Sequence, residues 1–446
     1  MAKKSSRPIV AVVGRPNVGK STFFNVMAGS DISIVKDTPG ITRDRIYADV
    51  SWLNYQFTLI DTGGIEPDSK DIILSQMRSQ AQIAIDTADV ILFMVDVKQG
   101  LVDADGKVAD MLRRSKKPVL LVVNKVDAPS KQMADVYEFY NLGIGDPWPI
   151  SSVNRIGLGD MLDEMVKYLP AEAMEEDDDD RIRVAIVGKP NVGKSSLINR
   201  LLGEERLIVS DIAGTTRDAV DTEVKYHGKS YIFIDTAGVR RKNKIKGELE
   251  HFMIIRAVAA VERADVAVLM IDATEGITEQ DAKIAGIAHE RGKAMIVAVN
   301  KWDAVEKDDK SVYRFQEKIR QTLSFMSYAE IIFISALTGQ RLGKLYETID
   351  MVAANHAMRI STGVLNEILA QAAAMQQPPS DKGKRLRMYY ITQVSVKPPT
   401  FVIFVNDREL MHFSYTRYIE NKIRDTFGFK GTPLHFIIRE RSKKEQ

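Results

Sequence analysis

Two octapeptides in this chain have the residue types and spacing to hold a phosphate. Residues 14–21 read Gly14-Arg15-Pro16-Asn17-Val18-Gly19-Lys20-Ser21, and residues 188–195 read Gly188-Lys189-Pro190-Asn191-Val192-Gly193-Lys194-Ser195. Both fit the pattern G-x-x-x-x-G-K-[ST], in which backbone N–H groups cradle phosphates. Lys20 and Lys194 can reach the terminal phosphates, and Ser21 and Ser195 can hold a magnesium ion that bridges them. Thr22 and Ser196 follow at the helix start, where the helix adds a partial positive charge. Each motif needs a strand before it and a helix after it. Apolar runs at Pro8–Val13 and Ile182–Val187, then helical patterns at Ser21–Met27 and Ser195–Leu202, supply that setting.

Further motifs follow in fixed order. Asp61-Thr62-Gly63-Gly64 and Asp235-Thr236-Ala237-Gly238 each close an apolar strand, with Ile65 and Val239 next. An Asp there can hold magnesium, and the last glycine can offer its N–H to a γ-phosphate. Asn124-Lys125-Val126-Asp127 and Asn300-Lys301-Trp302-Asp303 end two later strands. Their final carboxylate can accept the paired N1–H and 2-amino donors of guanine, whereas adenine would leave it unpaired. Ser151-Ser152 and Ser335-Ala336 follow the sixth strands, where a backbone N–H can meet the guanine oxygen.

Gly188 lies 174 residues after Gly14, Asp235 174 after Asp61, and Asn300 176 after Asn124. A near-constant offset indicates a duplicated domain. In the first copy, candidate strands at Pro8–Val13, Ala48–Trp52, Phe57–Ile60, Val90–Val95, Val119–Asn124 and Pro147–Ile150 alternate with helical patterns such as Ser75–Asp86, Asp103–Ser115 and Gly159–Tyr168. That alternation predicts an α/β fold with a mostly parallel sheet covered on both faces. The expected domains are 8–170 and 182–352, joined by an acidic tether over 171–181, then 353–440 and a basic tail at 441–446. The third domain reads as α+β: helices at Leu365–Gln376 and Ser414–Phe427, strands at Arg387–Val396, Thr400–Val405 and Leu434–Arg439. Between Asp381 and Gln446 there are fourteen Lys and Arg against seven Asp and Glu, a net of +7. Tyr389, Tyr390, Phe401 and Phe404 fall on strand patterns and read as core.

Composition bounds the rest. The chain has 446 residues, 45% hydrophobic and 27% charged, with a net charge of +2. Cysteine is absent, which excludes disulfides, thiolate zinc sites and cysteine nucleophiles. No apolar run approaches a membrane span, and no apolar signal core follows the basic N-terminus, so the expected setting is cytoplasmic. The expected oligomeric state is a monomer. The six histidines lack metal-ligand spacing.

Taken together, these residues resemble the translation-factor-like GTPases. Two tandem P-loop NTPase (G) domains, an acidic tether and a basic C-terminal domain resemble one family, the bacterial tandem GTPases called EngA or Der. The resemblance covers about Pro8 to Arg439. It implies GTP hydrolysis with Mg2+, a KH-like third domain, and action on the large (50S) ribosomal subunit and ribosomal RNA. It also identifies Thr42 and Thr216 as the switch threonines that complete the magnesium shell beside the γ-phosphate. Lys20, Thr42, Gly64, Lys194, Thr216 and Gly238 are then the catalytic set. The G-x-x-G loop by which KH domains clamp RNA is not evident; the tight loop is Lys397-Pro398-Pro399-Thr400.

Ile65 and Val239 stand where many GTPases have a water-orienting glutamine, and an aliphatic side chain cannot bond to water. In GTPases of this kind a potassium ion, held by the P-loop asparagine, takes over part of that role, so Asn17 and Asn191 are candidate K+ ligands. Arg240, Arg241, Lys242, Lys244 and Lys246 form a basic segment in the second copy only, and it is expected to respond to nucleotide. Two rivals remain: a nucleotide-binding RNA scaffold with little turnover, and an RNA-modification GTPase, for which residues 355–446 show no cysteine or glycine-rich cofactor loop.

Overall fold

The computed structural model describes residues 7–29, 47–63, 70–170, 181–204, 221–234, 249–306, 308–381 and 384–440. Among these, the chain divides into two compact bodies, one of 7–170 with 249–262 and the other of 181–234 with 263–440.

The first G domain is a six-stranded sheet. Its strands are β1 (Ile9–Gly14), β2 (Tyr47–Trp52), β3 (Tyr55–Asp61), β4 (Val90–Asp96), β5 (Val119–Asn124) and β6 (Pro147–Pro149), in the spatial order β2-β3-β1-β4-β5-β6. Only β2 runs antiparallel, hydrogen-bonded to β3 from Tyr47↔Ile60 to Trp52↔Tyr55. The central strands are continuous Val, Ile and Leu runs because they are buried on both faces; every residue of β1 and of β4 is buried. Helices α1 (Lys20–Gly29), α2 (Lys70–Thr87), α3 (Asp103–Arg114), α4 (Pro129–Tyr137) and α5 (Leu158–Met165) connect them. Val10, Val12, Phe23, Phe24, Leu92 and Met161 anchor one core cluster.

The second G domain repeats the plan. Strands β7 (Ile182–Val187), β8 (Thr222–Tyr226), β9 (Lys229–Ile234), β10 (Val266–Asp272), β11 (Ala294–Asn300) and β12 (Glu330–Phe333) lie in the order β12-β11-β10-β7-β9-β8. Its helices are α6 (Lys194–Glu204), α8 (Glu279–Glu290), α9 (Ser311–Thr322) and α10 (Leu342–Ala357); α7 (Leu249–Arg263), which lies between β9 and β10 in sequence, falls in the first body over residues 249–262. Helix α10 runs through residue 352, where the sequence pattern placed a boundary, and the third domain's own elements begin at Thr362. No described helix is long and apolar enough to cross a membrane.

The third domain has α11 (Thr362–Met375), a two-residue hairpin of β13 (Ser380–Asp381) and β14 (Lys384–Arg385), then β15 (Met388–Ser395), β16 (Thr400–Val405), α12 (Phe413–Phe427) and β17 (His435–Glu440). The sheet order is β15-β16-β17, antiparallel then parallel. The Asn366 side chain on α11 caps the β15 edge: it accepts from Ile391 N–H at 3.0 Å and donates to Ile391 C=O at 3.1 Å. Phe401 is fully buried, as expected, whereas Tyr389 and Tyr390 are exposed. Tyr390 is not core because strand alternation turns it to the outer face, where it stacks on Phe404 at 4.3 Å between centroids.

The third domain packs on the second G domain through backbone bonds, within one body. Met295 N–H donates to Gly431 C=O at 2.6 Å, Gly431 N–H to Tyr328 C=O at 2.8 Å, and Lys397 N–H to His356 C=O at 2.9 Å. The His356 ring is buried and meets the Thr432 hydroxyl at 2.7 Å. The Lys397-Pro398-Pro399-Thr400 loop is thus a docking element: Lys397 pairs with Asp265 at 3.3 Å and Pro398 sits against Gly292. Gly431 has φ +74°, and a Cβ there would overlap the Val352 side chain. Gly431→Ala is therefore expected to destabilise this body by about 1–3 kcal/mol, through overpacking and left-handed strain. The check is the midpoint of chemical unfolding together with hydrogen exchange at the Met295 and Gly431 amides. Unchanged exchange at both would refute the packing argument.

Candidate functional site

The sheet order reverses direction between β1 and β3 on one side and β4 on the other, and both phosphate loops leave the carboxyl end of the central strand there. Such switch points are where open α/β sheets bind ligands. In the first copy the loop runs from Gly14 to Lys20, and Lys20 starts α1. Asn17 takes φ +64° and Gly19 φ +102°; in the second copy Asn191 and Gly193 take +63° and +100°. Asparagine and glycine are the residues that enter this region at least cost, so the loop's turn follows from its sequence.

The lysines lie folded over their own loops. Lys20 Nζ donates to Gly14 C=O and Arg15 C=O, both at 2.7 Å, and Lys194 Nζ to Gly188 C=O at 2.7 Å and Lys189 C=O at 2.6 Å. Lys20 is buried, and burial is the main cause that pushes its pKa down to about 8, with nearby Asp61 opposing and Arg15 adding to the fall. Ser21 Oγ donates to Asp61 Oδ2 at 3.1 Å, while Asp61 Oδ1 accepts the Gly63 N–H at 2.9 Å. A hydroxyl beside a carboxylate is a set of hard oxygen donors suited to Mg2+. Thr62 Oγ1 donates to Val12 C=O and so ties this strand end to β1.

The asparagines of the third motif hold protein, not an open site. Asn124 Nδ2 donates to Val18 C=O at 2.8 Å, and its Oδ1 accepts the Ser152 N–H and hydroxyl, each at 3.0 Å. Asn300 does the same: Nδ2 to Val192 C=O at 2.7 Å, and Oδ1 from Ala336 N–H at 2.8 Å. A Cβ on Gly19 or Gly193 would overlap these amide nitrogens, which explains the second glycine of each loop. The Ser152 and Ala336 N–H groups, expected to face a guanine oxygen, are thereby engaged with asparagine, and a base oxygen would share them. Lys125 Nζ joins Asn17 C=O at 2.6 Å to Asp96 at 2.7 Å, and Lys301 pairs with Asp272. Val126 and Trp302 are buried beneath their motifs.

Asp127 and Asp303, the two carboxylates expected from the sequence to read the base, have different surroundings. Asp127 accepts from Lys98 Nζ and Ser151 Oγ, each at 2.7 Å, and from Asn154 Nδ2 at 3.1 Å. These donors, Lys98 first, hold its carboxyl below the usual range. Asp303 is exposed.

Some features escaped sequence reasoning. Arg15 pairs with fully buried Asp105 at 2.8 Å and donates to Gln99 at 2.7 Å; Lys189 donates to Glu275 at 2.8 Å and lies 3.7 Å from buried Asp281. These cations lock the second residue of each loop to the start of α3 or α8. Pro16 and Pro190 are carried on the same loops, as are Thr22 and Ser196 on the helices that follow. Ser195 begins α6 alongside Lys194, and Ser335 Oγ accepts the Thr338 N–H at 3.1 Å. Thr42, Gly64, Ile65, Thr216, Asp235, Thr236, Ala237, Gly238 and Val239 lie outside the described residues, as do the basic segment 240–246, the tether 171–180 and the tail 441–446.

Comparison with known proteins agrees with this geometry. Residues 9–125 and 183–301 each match the family model described as "50S ribosome-binding GTPase", and residues 359–439 match the "KH-domain-like of EngA bacterial GTPase enzymes, C-terminal". The chain is 74% identical to the GTPase Der of Agathobacter rectalis over 440 residues, covering 99% of this chain and 100% of that one. It is 72% identical to the GTPase Der of Lachnospira eligens with the same coverage. Among solved structures, Era in complex with MgGDPNP and nucleotides 1506–1542 of 16S ribosomal RNA aligns over 58% of this chain and 93% of its own, at 26% identity and a TM-score of 0.30. With two P-loop G domains, a KH-like third domain and such relatives along its whole length, the chain belongs to the EngA/Der family of tandem-domain GTPases and is a GTP-hydrolysing enzyme.

Proposed function

We propose that the protein binds GTP with Mg2+ in both G domains and uses its nucleotide state to gate binding to the 50S ribosomal subunit during assembly, in the cytoplasm. The observation that carries this reading is the repeated clamp: in each copy one asparagine ties the phosphate loop to the base-reading loop. A ligand that touches both loops can then be felt across the domain. Support for the ribosomal partner comes from the 50S description of the matched GTPase model and from the net charge of +7 between Asp381 and Gln446, which suits a phosphate backbone. Because the Lys397–Thr400 loop is engaged with the second G domain, RNA contact by that loop is not part of the proposal.

In each loop the lysine exchanges its backbone carbonyl partners for phosphate oxygens as nucleotide enters. Ser21 and Asp61 would hold a magnesium ion in the first copy; Thr42 there, and Ser195, Asp235 and Thr216 in the second copy, are the remaining proposed ligands. A magnesium ion held there would supply charge neutralisation for phosphoryl transfer. Asp127 and Asp303 select guanine. Asn17 and Asn191 present exposed side chains beside the phosphate cradle and fit a potassium ion through their amide oxygens.

Three measurements test the reading. Affinity for 50S particles should differ between GDP and a non-hydrolysable GTP analogue; equal affinities sink the gating. GTP turnover should be faster in potassium than in sodium salts, and Asn17→Ala with Asn191→Ala should remove the difference. Equal rates in the two salts eliminate the potassium role. The third concerns protons. In the empty first site Lys20 has a pKa lowered from 10.5 to about 8, and phosphates favour its charged form, so binding takes up a proton where the empty site lacks one. GDP affinity at this site should therefore fall as pH rises above 8, while stability of the empty site rises through the same window, because there the unfolded chain binds more protons. Calorimetry in two buffers of different ionisation enthalpy, on an Asp303→Asn chain, should find uptake of about 0.5 proton at pH 8. No uptake would mean that Lys20 stays charged when empty.

A further inference from the structure

The two G domains are near copies, so a place where they differ in charge beside the same motif is informative. Residue 98 is two past Asp96, and residue 274 is two past Asp272, at matching ends of β4 and β10. The first copy has lysine there and the second threonine. Lys98 reaches outward, and its Nζ donates to Asp127 Oδ2 at 2.7 Å. Thr274 turns inward instead: its N–H and hydroxyl both donate to Asp272 Oδ1, at 2.9 and 2.7 Å. The loop facing the carboxylate differs as well. Asn154 Nδ2 and Ser151 Oγ donate to Asp127 Oδ1. In the second copy Thr338 replaces Asn154, and Ser335 Oγ only accepts the Thr338 N–H. Asp127 is thus bonded on both oxygens, whereas Asp303 has no hydrogen bond among the described residues.

Guanine needs both carboxylate oxygens side by side, one for N1–H and one for the 2-amino group. At Asp303 they stand open. At Asp127 a charged donor already holds Oδ2, one of the two oxygens that guanine needs. We propose that Lys98 is a positioning residue that acts through Asp127: it holds the carboxylate of the empty first site and has to release Oδ2 when guanine docks. The first G domain therefore binds guanine nucleotide more weakly, and releases it faster, than the same pocket without the lysine. The pairing raises the Lys98 pKa and lowers that of Asp127, so both stay charged across the neutral range. The ion pair is half-exposed, with side chains 56% and 39% accessible, so its grip is modest and screened by salt. A carboxylate with a pre-set partner also resists misdocking of adenine, which has no donor pair to displace the lysine.

This inference rests on Asp127 and Asp303 being the guanine-reading groups, and the experiment separates the two claims. Full-length chains carrying Asp303→Asn leave the first site as the one GDP site, and a fluorescent GDP analogue is titrated against them. A stoichiometry of one nucleotide per chain supports the guanine reading; two would refute that reading, whatever Lys98 does. On this background Lys98→Thr should tighten the analogue by about two- to fivefold at low salt, the scale of an exposed ion pair, mainly through a slower off-rate. The gain should shrink in concentrated potassium chloride, and Lys98→Arg should keep the parent affinity. In the mirror chain, Asp127→Asn with Thr274→Lys should weaken the second site. An affinity that Lys98→Thr leaves unchanged or lowers at low salt, or a gain of the same size at high salt, overturns the proposal.

Discussion

Everything at the nucleotide end of each G domain hangs on one primary amide. Asn124 and Asn300 sit at the ends of buried strands and offer one donor and one acceptor in opposite directions. The donor holds the phosphate loop through the carbonyl of Val18 or Val192; the acceptor holds the loop after the sixth strand. Both asparagines are buried, so an unmade bond would cost the full desolvation of the amide, about 1–3 kcal/mol. That penalty fixes loop geometry more firmly than propensity could. It also dictates sequence elsewhere, since the amide comes so close that Gly19 and Gly193 have no room for a side chain.

Electrostatics then builds on this frame. Both loop lysines donate to backbone carbonyls of their own loops, and Lys20 is buried deeply enough for its charge to be costly. A polyanion placed beside that ammonium group would offset the cost of its burial. The second loop residue works in the opposite sense. Burial raises the pKa of both Asp105 and Asp281, and Arg15 on the one, Thr278 and Lys189 on the other, offset only part of that rise.

Much of this was legible in the sequence. The strands were read to within about two residues at each end, because continuous Val, Ile and Leu runs have few alternatives to a buried parallel strand. The two octapeptides, the Asp61 carboxylate and both asparagine motifs were singled out by their spacing, and the near-constant offset between copies pointed to a duplicated domain. What stayed hidden depends on tertiary distance. Nothing in the spacing of Arg15 and Asp105 says that they touch across the phosphate loop. The roles of Asn124 and Asn300 as clamps were invisible because the motif names a ligand, not a neighbouring backbone. Tyr390 was misplaced because alternation fixes which residues share a face but not which face is covered. The β15–β16 loop was judged by what it lacked, a G-x-x-G signature, while its actual engagement with Asp265 and His356 follows from packing of the third domain on the second G domain.

The Asn366 cap on β15 has a consequence for the life of the chain in a crowded cell. A strand at a sheet edge presents unpaired amides and carbonyls that template the addition of any passing extended peptide. By answering both the N–H and the C=O of Ile391 with one side chain, α11 shuts the middle of that edge. Extended segments of other unfinished proteins are thereby denied their docking template at this point, and the sheet is protected from runaway polymerisation without a further strand.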